Sequence, residues 1–168
     1  MRYPDMNWRT MSALDLAAVE AIADVVHKEF YESPSVLAER RQLYPNGAHL
    51  LEINERPVGY VLSHPWKRGT IPALNVLLNE LPPDTDTYYI HDLALLPVAR
   101  RVGAAKFVTA ALEKHAAARG FATLSLVAVN GSEPFWSKRG FAVLDLPELT
   151  GKLLGYEVGA RYMEKALG

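Results

Sequence analysis

Leu16, Val19, Ala23, Val26 and Phe30 recur at helical spacing behind Ser12 and Asp15, a capping-box variant, and so predict a first helix. Asn7 to Met11 reads as a short strand before it. Ser33-Pro34 supplies an N-cap and a first-turn proline for a second, short helix, which Pro45-Asn46-Gly47 stops near Tyr44. His49–Asn54 and Val58–Ser63 predict two strands around the turn Asn54-Glu55-Arg56-Pro57, and Gly59 inside the second marks a bulge or a close backbone approach. Tyr88–Leu96 is an apolar run closed by Pro97, the signature of a buried strand. In the helix that follows, Ala104, Val108, Ala111 and Leu112 share one face, Lys106, Thr109 and Glu113 another, and Gly120 ends it. Phe121–Val129 reads as a second buried strand, broken by Asn130-Gly131. Glu133–Arg139 predicts a short helix, and Phe141–Leu146 and about Tyr156 to Leu167 two further strands, joined by a loop with Pro147, Gly151 and Gly155. Lys67–Asp86 fits no regular pattern. Gly69, Pro72, Pro82 and Pro83 surround the apolar run Ala73–Leu78, which predicts a long connection with room for one or two helical turns.

With no repeats and no linker, 168 residues are expected to form one domain spanning 1–168. A net charge of −1 gives no reason to expect a nucleic-acid or anionic-membrane partner. The absence of cysteine removes disulfides, thiol nucleophiles and thiolate metal sites from consideration. The polar start, Met1 to Asp5, does not resemble a signal peptide, and no run approaches the length of a membrane span, so the expected location is the cytoplasm.

The stretch that carries candidate chemistry is the turn Arg100-Arg101-Val102-Gly103-Ala104-Ala105, between a buried strand and a helix start. The first amides of a helix lack intrahelical acceptors and sit at the positive end of its dipole, so such a turn suits an anion. An ordinary strand–helix connection with two solvated arginines fits the spacing equally well. A dinucleotide-binding glycine motif, a Walker loop, a nucleophile elbow and a zinc-binding histidine pair are all absent. The five histidines are scattered at 27, 49, 64, 91 and 115. His27 beside the first helix's apolar face and His115 near the end of the central helix read as structural.

Arg100–Ala105 matches R/Q-x-x-G-x-G/A, which resembles the acyl-CoA pyrophosphate loop of the GNAT superfamily of acetyl-CoA-dependent N-acetyltransferases. The preceding Asp92-Leu93-Ala94-Leu95-Leu96-Pro97 is similar to that family's fourth strand. Asn130 and Phe135-Trp136-Ser137-Lys138-Arg139-Gly140-Phe141 resemble its later N…(F/Y)Y-x-K-x-G-F segment. The pieces run in order from about Tyr88 to Phe141.

The resemblance implies an α+β, three-layer fold. Its mixed, mostly antiparallel sheet would splay between strands 4 and 5, with helices on both faces. It implies that Leu93, Ala94 and Leu95 pair with the pantetheine arm of acetyl-CoA, that Arg100, Arg101, Val102, Gly103, Ala104 and Ala105 hold its pyrophosphate, and that Asn130 contacts its pantetheine amide. The implied reaction is direct acetyl transfer to a primary amine, which must first lose a proton. Relatives place a general-base glutamate on the fourth strand; here that position falls on His91, with Asp92 next to it. Strand alternation would send Asp92 to the other sheet face unless a bulge intervenes, so His91 ranks first as catalytic base and Asp92 second. The alternative for His91 is a hydrogen-bonded histidine lining the pocket. The usual tyrosine acid is replaced by Trp136, which cannot donate a proton at neutral pH and is expected to wall the acyl-CoA channel. A non-catalytic acyl-CoA-binding module is the second functional reading. The acceptor amine is not legible; residues around Glu29, Tyr31 and Glu32, the His64–Trp66 corner and the Lys67–Asp86 insertion are expected to border its site. The insertion is expected to cover that site or an interface between copies, a homodimer being common among relatives.

Overall fold

The computed structural model describes residues 5–168, so all of the polar start but Asp5 lies outside the described residues. Seven strands form one sheet in the order β1-β2-β3-β4-β5-β7-β6. They are β1 (Met6–Thr10), β2 (Ala48–Ile53), β3 (Arg56–Trp66), β4 (Thr87–Leu95), β5 (Thr123–Ala128), β6 (Ala142–Val143) and β7 (Arg161–Ala166). All neighbours are antiparallel except β4 and β5. That parallel pair is held only through Tyr88↔Leu124, Tyr89↔Ser125 and Ile90↔Leu126, after which the strands separate. The sheet is therefore split along its middle, between its fourth and fifth strands.

Helices cover both faces. On one side, α1 (Leu16–Val26) and α2 (Pro34–Leu43) pack on β3 and β4, burying Val19, Ile22 and Leu37 against Leu50, Tyr60 and Ala94. On the other, α3 (Ala104–Ala118) and α4 (Glu133–Ser137) bury Val108, Leu112 and Trp136 against Tyr88, Ile90 and Leu126. Each strand between them is apolar on both sides, which is why Tyr88–Leu96 and Phe121–Val129 read as continuous runs. The β2–β3 turn is tight because Asn54 and Glu55 both take positive φ, 51° and 65°, the mirror-image turn that matches strand twist. Gly59 is forced by proximity: a Cβ there would stand 2.7 Å from Leu95 Cδ2 and 3.0 Å from the Ala94 carbonyl oxygen. A bulge lies beside it, since Leu51 pairs with Gly59 but Glu52 with Pro57.

Five sequence expectations need correction. The capping box holds, with the Ser12 amide donating to Asp15 Oδ2 at 2.7 Å, but its first turn, Ala13–Asp15, is a 3-10 turn. Helix α1 then stops at Val26, a turn before Phe30. Its C-cap His27 leaves helical geometry, and a tight turn returns the Phe30 amide to the His27 carbonyl. The segment expected as a plain loop around Gly151 contains α5 (Thr150–Leu154), while β6 shrinks to Ala142 and Val143, paired with Glu164 and Met163 of β7. The insertion 67–86 holds turns and no helix.

Candidate active site

The split in the sheet exposes one edge of β4. The Leu96 amide donates to the Val58 carbonyl, so alternation turns the amides and carbonyls of Leu93 and Leu95 away from β3 and into the gap. Arg100 Nε donates to the Leu95 carbonyl at 3.2 Å from that side. The gap is a cleft of about 420 Å³ whose walls include His91, Asp92, Leu93, Leu95, Arg100, Asn130 and Trp136. Trp136 is 8% exposed and sits edge-on to Phe135 and Phe141, a packed wall rather than a free side chain. Asn130 takes φ of 56° while its amide donates to Glu157 Oε1 at 2.6 Å. Ala94 does not line the cleft; its side chain is buried under α1.

At the end of the cleft, Arg101 and Gly103 adopt left-handed backbone, φ 65° and 82°, and Gly103 is the N-cap of α3. Nothing lies within 4 Å of a Cβ built on Gly103, so its backbone faces open space beside the helix start. Ala104 and Ala105 are small for a different reason than anion access. Both are buried, Ala104 packs against Leu51 and Ile53, and its carbonyl accepts from Trp8 Nε1. Small side chains here seat the first turn of α3 on the sheet, and its first amides have no intrahelical acceptor.

The sharpest feature is a bulge in β4. Leu62 pairs with Asp92 and Ser63 with Ile90, leaving His91 as the extra residue. The alternation is thereby reset, and His91 and Asp92 turn to the same face, the one beneath α1. His91 Nε2 donates to Glu32 Oε1 at 2.6 Å, and Asp92 Oδ1 accepts from His27 Nε2 at 2.5 Å. Asp92 Oδ2 accepts from the Tyr60 hydroxyl at 2.5 Å. The side chains of His91, Glu32 and Asp92 are 2%, 8% and 9% exposed. Two carboxylate–imidazole pairs thus stand side by side.

Their electrostatics follow from burial and pairing. Burial pushes the Asp92 carboxyl up, but the charge and hydrogen bond of His27, with His91 and Tyr60 behind them, hold it below the ordinary range. Burial also raises Glu32, and the charge and hydrogen bond of His91 outweigh that and keep it low. Burial lowers His27, yet the Asp92 carboxylate prevails and its imidazole is raised. Burial and the Asp92 charge push the Tyr60 phenol well up. His91 Nδ1 is buried and has no hydrogen-bond partner among the described residues. So is Nε2 of the neighbouring His64, whose pKa burial lowers to about 3.

A second, smaller cavity of about 70 Å³ opens between α1, the insertion and β5, lined by Asp24, Phe30, Tyr31, Glu32, Leu74 and Tyr156 among others. His27, His91, Asp92, Val127 and Val129 line both cavities, so the two paired imidazoles stand where the spaces meet.

Residues 15–141 match the model of the acetyltransferase (GNAT) family. The chain belongs to that family. Its fold is that of solved GNAT structures at low sequence identity. The loading GNATL domain of CurA from Lyngbya majuscula superposes with a TM-score of 0.80 at 13% identity, covering 96% of this chain and 98% of that one. Ard1 from Thermoplasma volcanium does so at 0.74 and 16%, covering 97% and 98%. Arabidopsis thaliana Naa50, in complex with the bisubstrate analogue CoA-Ac-MVNAL, does so at 0.69 and 15%, covering 95% and 97%. No curated protein sequence matches this chain. Within the GNAT frame the sheet splits where the resemblance placed it, and His91 and Asp92 border the split together. His27 and Tyr60 were not legible as site residues. The signal that could have found His27 is an imidazole at the C-terminal end of an amphipathic helix, but no local pattern tells which strand such a side chain reaches.

Proposed function

We propose that this chain transfers the acetyl group of acetyl-CoA to a primary amine, with His91 as the base and Asp92 as the group that draws the cationic amine in. The observation that carries the reading is the meeting of two cavities at a paired imidazole. The larger has an unpaired strand edge on one wall and a helix start at its mouth, as a pantetheine arm ending in a pyrophosphate requires. The residues fit that co-substrate. Leu93 and Leu95 offer backbone groups, the amides of 101–105 and Arg100 offer positive ends, and Asn130 and Trp136 close the far wall.

Acetyl-CoA supplies an activated thioester, and the chain supplies proton handling and position. An ammonium R–NH3+ has no lone pair. With Nε2–H of His91 committed to Glu32, the lone pair of a neutral His91 lies on Nδ1; that atom is enclosed in this conformation, so a small shift of the ring or its cover must open it before the ammonium proton passes to it. The Glu32 carboxylate at 2.6 Å then stabilises the imidazolium. The amine nitrogen bonds to the acetyl carbon, the carbon–sulfur bond breaks, and the sulfur leaves as thiolate. Ammonium and acetyl-CoA thus give the amide, CoA thiol and one proton. No acid need be built for the thiolate, because a free thiol of pKa about 8.5 is protonated by water at neutral pH. That suits Trp136, which has no proton to give, and Tyr60, whose phenol is held well above the ordinary range.

The reading is tested by calorimetric titration with acetyl-CoA followed by thiol release on adding a mixture of primary amines. Saturable binding and amine-dependent thiol release are expected. Binding without release with any amine marks a binding module instead.

A further inference from the structure

No tyrosine is among the described residues that line the larger cleft; Tyr31 and Tyr156 line the smaller cavity alone. We propose that His27, as the imidazolium paired with Asp92, gives the proton to the sulfur of the departing CoA; this rests on the acetyl-transfer reading above.

Position comes first. The side chains common to both cavities are those of His27, His91, Asp92, Val127 and Val129. A thioester entering along β4 and an amine entering from the other side meet among them, and the two valines have no proton to move. Both oxygens of Asp92 are taken, Oδ1 by His27 Nε2 and Oδ2 by the Tyr60 hydroxyl. His91 donates Nε2–H to Glu32, and its Nδ1 is enclosed. His27 differs from both. Its side chain is 21% exposed, and its ring bonds through Nε2 alone among the described residues. Nδ1 is left without a partner there and, unlike that of His91, is not enclosed. The end of α1 sets this geometry. His27 is the C-cap, with φ −114° and ψ 48°, and the β4 bulge presents Asp92 to its ring.

Charge comes second. A donor to sulfur must keep its proton until the carbon–sulfur bond breaks. Burial works against the imidazolium, but the Asp92 carboxylate at 2.5 Å outweighs it, and the Glu32 charge adds to the same effect. The groups around the ring are Asp92 and His91 from β4, Tyr60 from β3, Glu32 from the α1–α2 connection and Asp24 from α1 itself. None is a lysine or arginine that would drive the proton off.

The step balances. As the tetrahedral adduct collapses, the electron pair of the carbon–sulfur bond goes to sulfur, and the Nδ1 proton of His27 passes to the same atom. CoA leaves as the thiol. The new amide nitrogen still carries one proton too many, and that proton restores the imidazolium. The proton taken by His91 is the one left for solvent. Water can protonate such a thiol unaided, so His27 contributes a proton already in place when the bond breaks.

The first arm of the test needs no variant. The thiol pKa of CoA bound to the wild-type chain is read from thiolate absorbance against pH. An imidazolium beside the sulfur favours the thiolate, so the value is expected to fall about half a unit or more below the ~8.5 of a free thiol. A smaller fall, or a rise, overturns the assignment. The second arm is His27→Gln, which keeps a side-chain N–H for Asp92 but has no proton to give. Single-turnover thiol release from bound acetyl-CoA, with a mixture of primary amines in excess, is compared with wild type at about pH 6 and about pH 9, both proteins being folded by circular dichroism at the assay temperature. Ionisation of the amine and of His91 cancels in the ratio of the two rates. Wild type is expected to lead by about tenfold or more at the lower pH, with the lead shrinking to about threefold or less at the higher, where His27 has lost its proton. A lead under about tenfold at pH 6, or an equal lead at both values, means that His27 only fastens α1 to the sheet and overturns the assignment. Should the variant fail to fold, the first arm decides alone. Wild-type chain that binds acetyl-CoA and releases no thiol with any of the amines overturns the acetyl-transfer reading as well, whereas the other outcomes leave it standing.

Discussion

Asp92→Asn tests how the site is held together, and its effect can be worked from the structure. The Asp92 carboxylate is 9% exposed and accepts from both His27 and Tyr60 at 2.5 Å. It ties the end of α1 to the floor of the split sheet. Asparagine can keep one of the two hydrogen bonds, but the charge that raises His27 is gone. Breaking a buried pair by removing one partner costs about 3–5 kcal/mol, and the low end applies because His27 can shed its proton. In a chain of 168 residues each kcal/mol moves Tm by about 2–4 °C, so the melt should fall by about 6–12 °C. The pH dependence fixes the cause. His27 is raised above its ordinary 6.5, so its share of the stability is complete below that value and disappears as pH rises through the raised value. Asp92 is lowered below its ordinary 3.8, so its share is present above that value and disappears as pH falls through the lowered one. The pair is therefore worth most between the two ordinary values. Circular-dichroism melts of both proteins at about pH 6 and about pH 9 should show the full difference at the first and a small one at the second. A drop of under about 2 °C at the lower pH, or an equal drop at both, refutes the ion pair as a support of the site.

His91→Ala should lower kcat by about a hundredfold or more, the low end for a general base, with acetyl-CoA affinity retained by calorimetry. A loss of only a few-fold sinks the base assignment, and a large loss confined to Asp92→Asn moves the role there. Gly103→Glu should weaken acetyl-CoA binding at least tenfold, because it places a carboxylate in the open space before α3 and strains a backbone at φ 82°. Equal affinity in the folded variant removes the loop from the binding site. Trp136→Ala should cost about 3–5 kcal/mol, since the indole belongs to the buried cluster of Val108, Leu112 and Phe141. A chemical-denaturation midpoint unchanged by that substitution contradicts its place in the core.

The sheet, its order of elements and its split were legible because buried strands write continuous apolar runs, and because Arg100–Ala105, Asn130 and Trp136–Phe141 fall at the spacing of a known family. The candidate site was only half legible. His91 was readable as a strand position, but its face was not, since one extra residue in β4 reverses the alternation and leaves no composition signal of its own. Glu32 was placed near the site by chain position, and the 2.6 Å contact with His91 depends on the insertion that pins it. His27 read as a packed helix residue because Phe30 extends the apolar periodicity, whereas the helix stops four residues earlier. The α5 helix was hidden by Gly151 in its first turn and Gly155 at its C-cap. The insertion has no periodicity because it forms no helix or strand and many of its bonds go to other elements, the largest obstacle to reading it in sequence.

The most direct measurement of acetyl transfer uses acetyl-CoA labelled in the acetyl group, a mixture of primary amines and the wild-type chain. Mass spectrometry follows the label while free thiol is counted. Label on an amine nitrogen, matched one for one by released CoA thiol and lost in His91→Ala, is the expected result. Thiol released without a labelled amide, or labelled amide formed equally well without His91, contradicts the account.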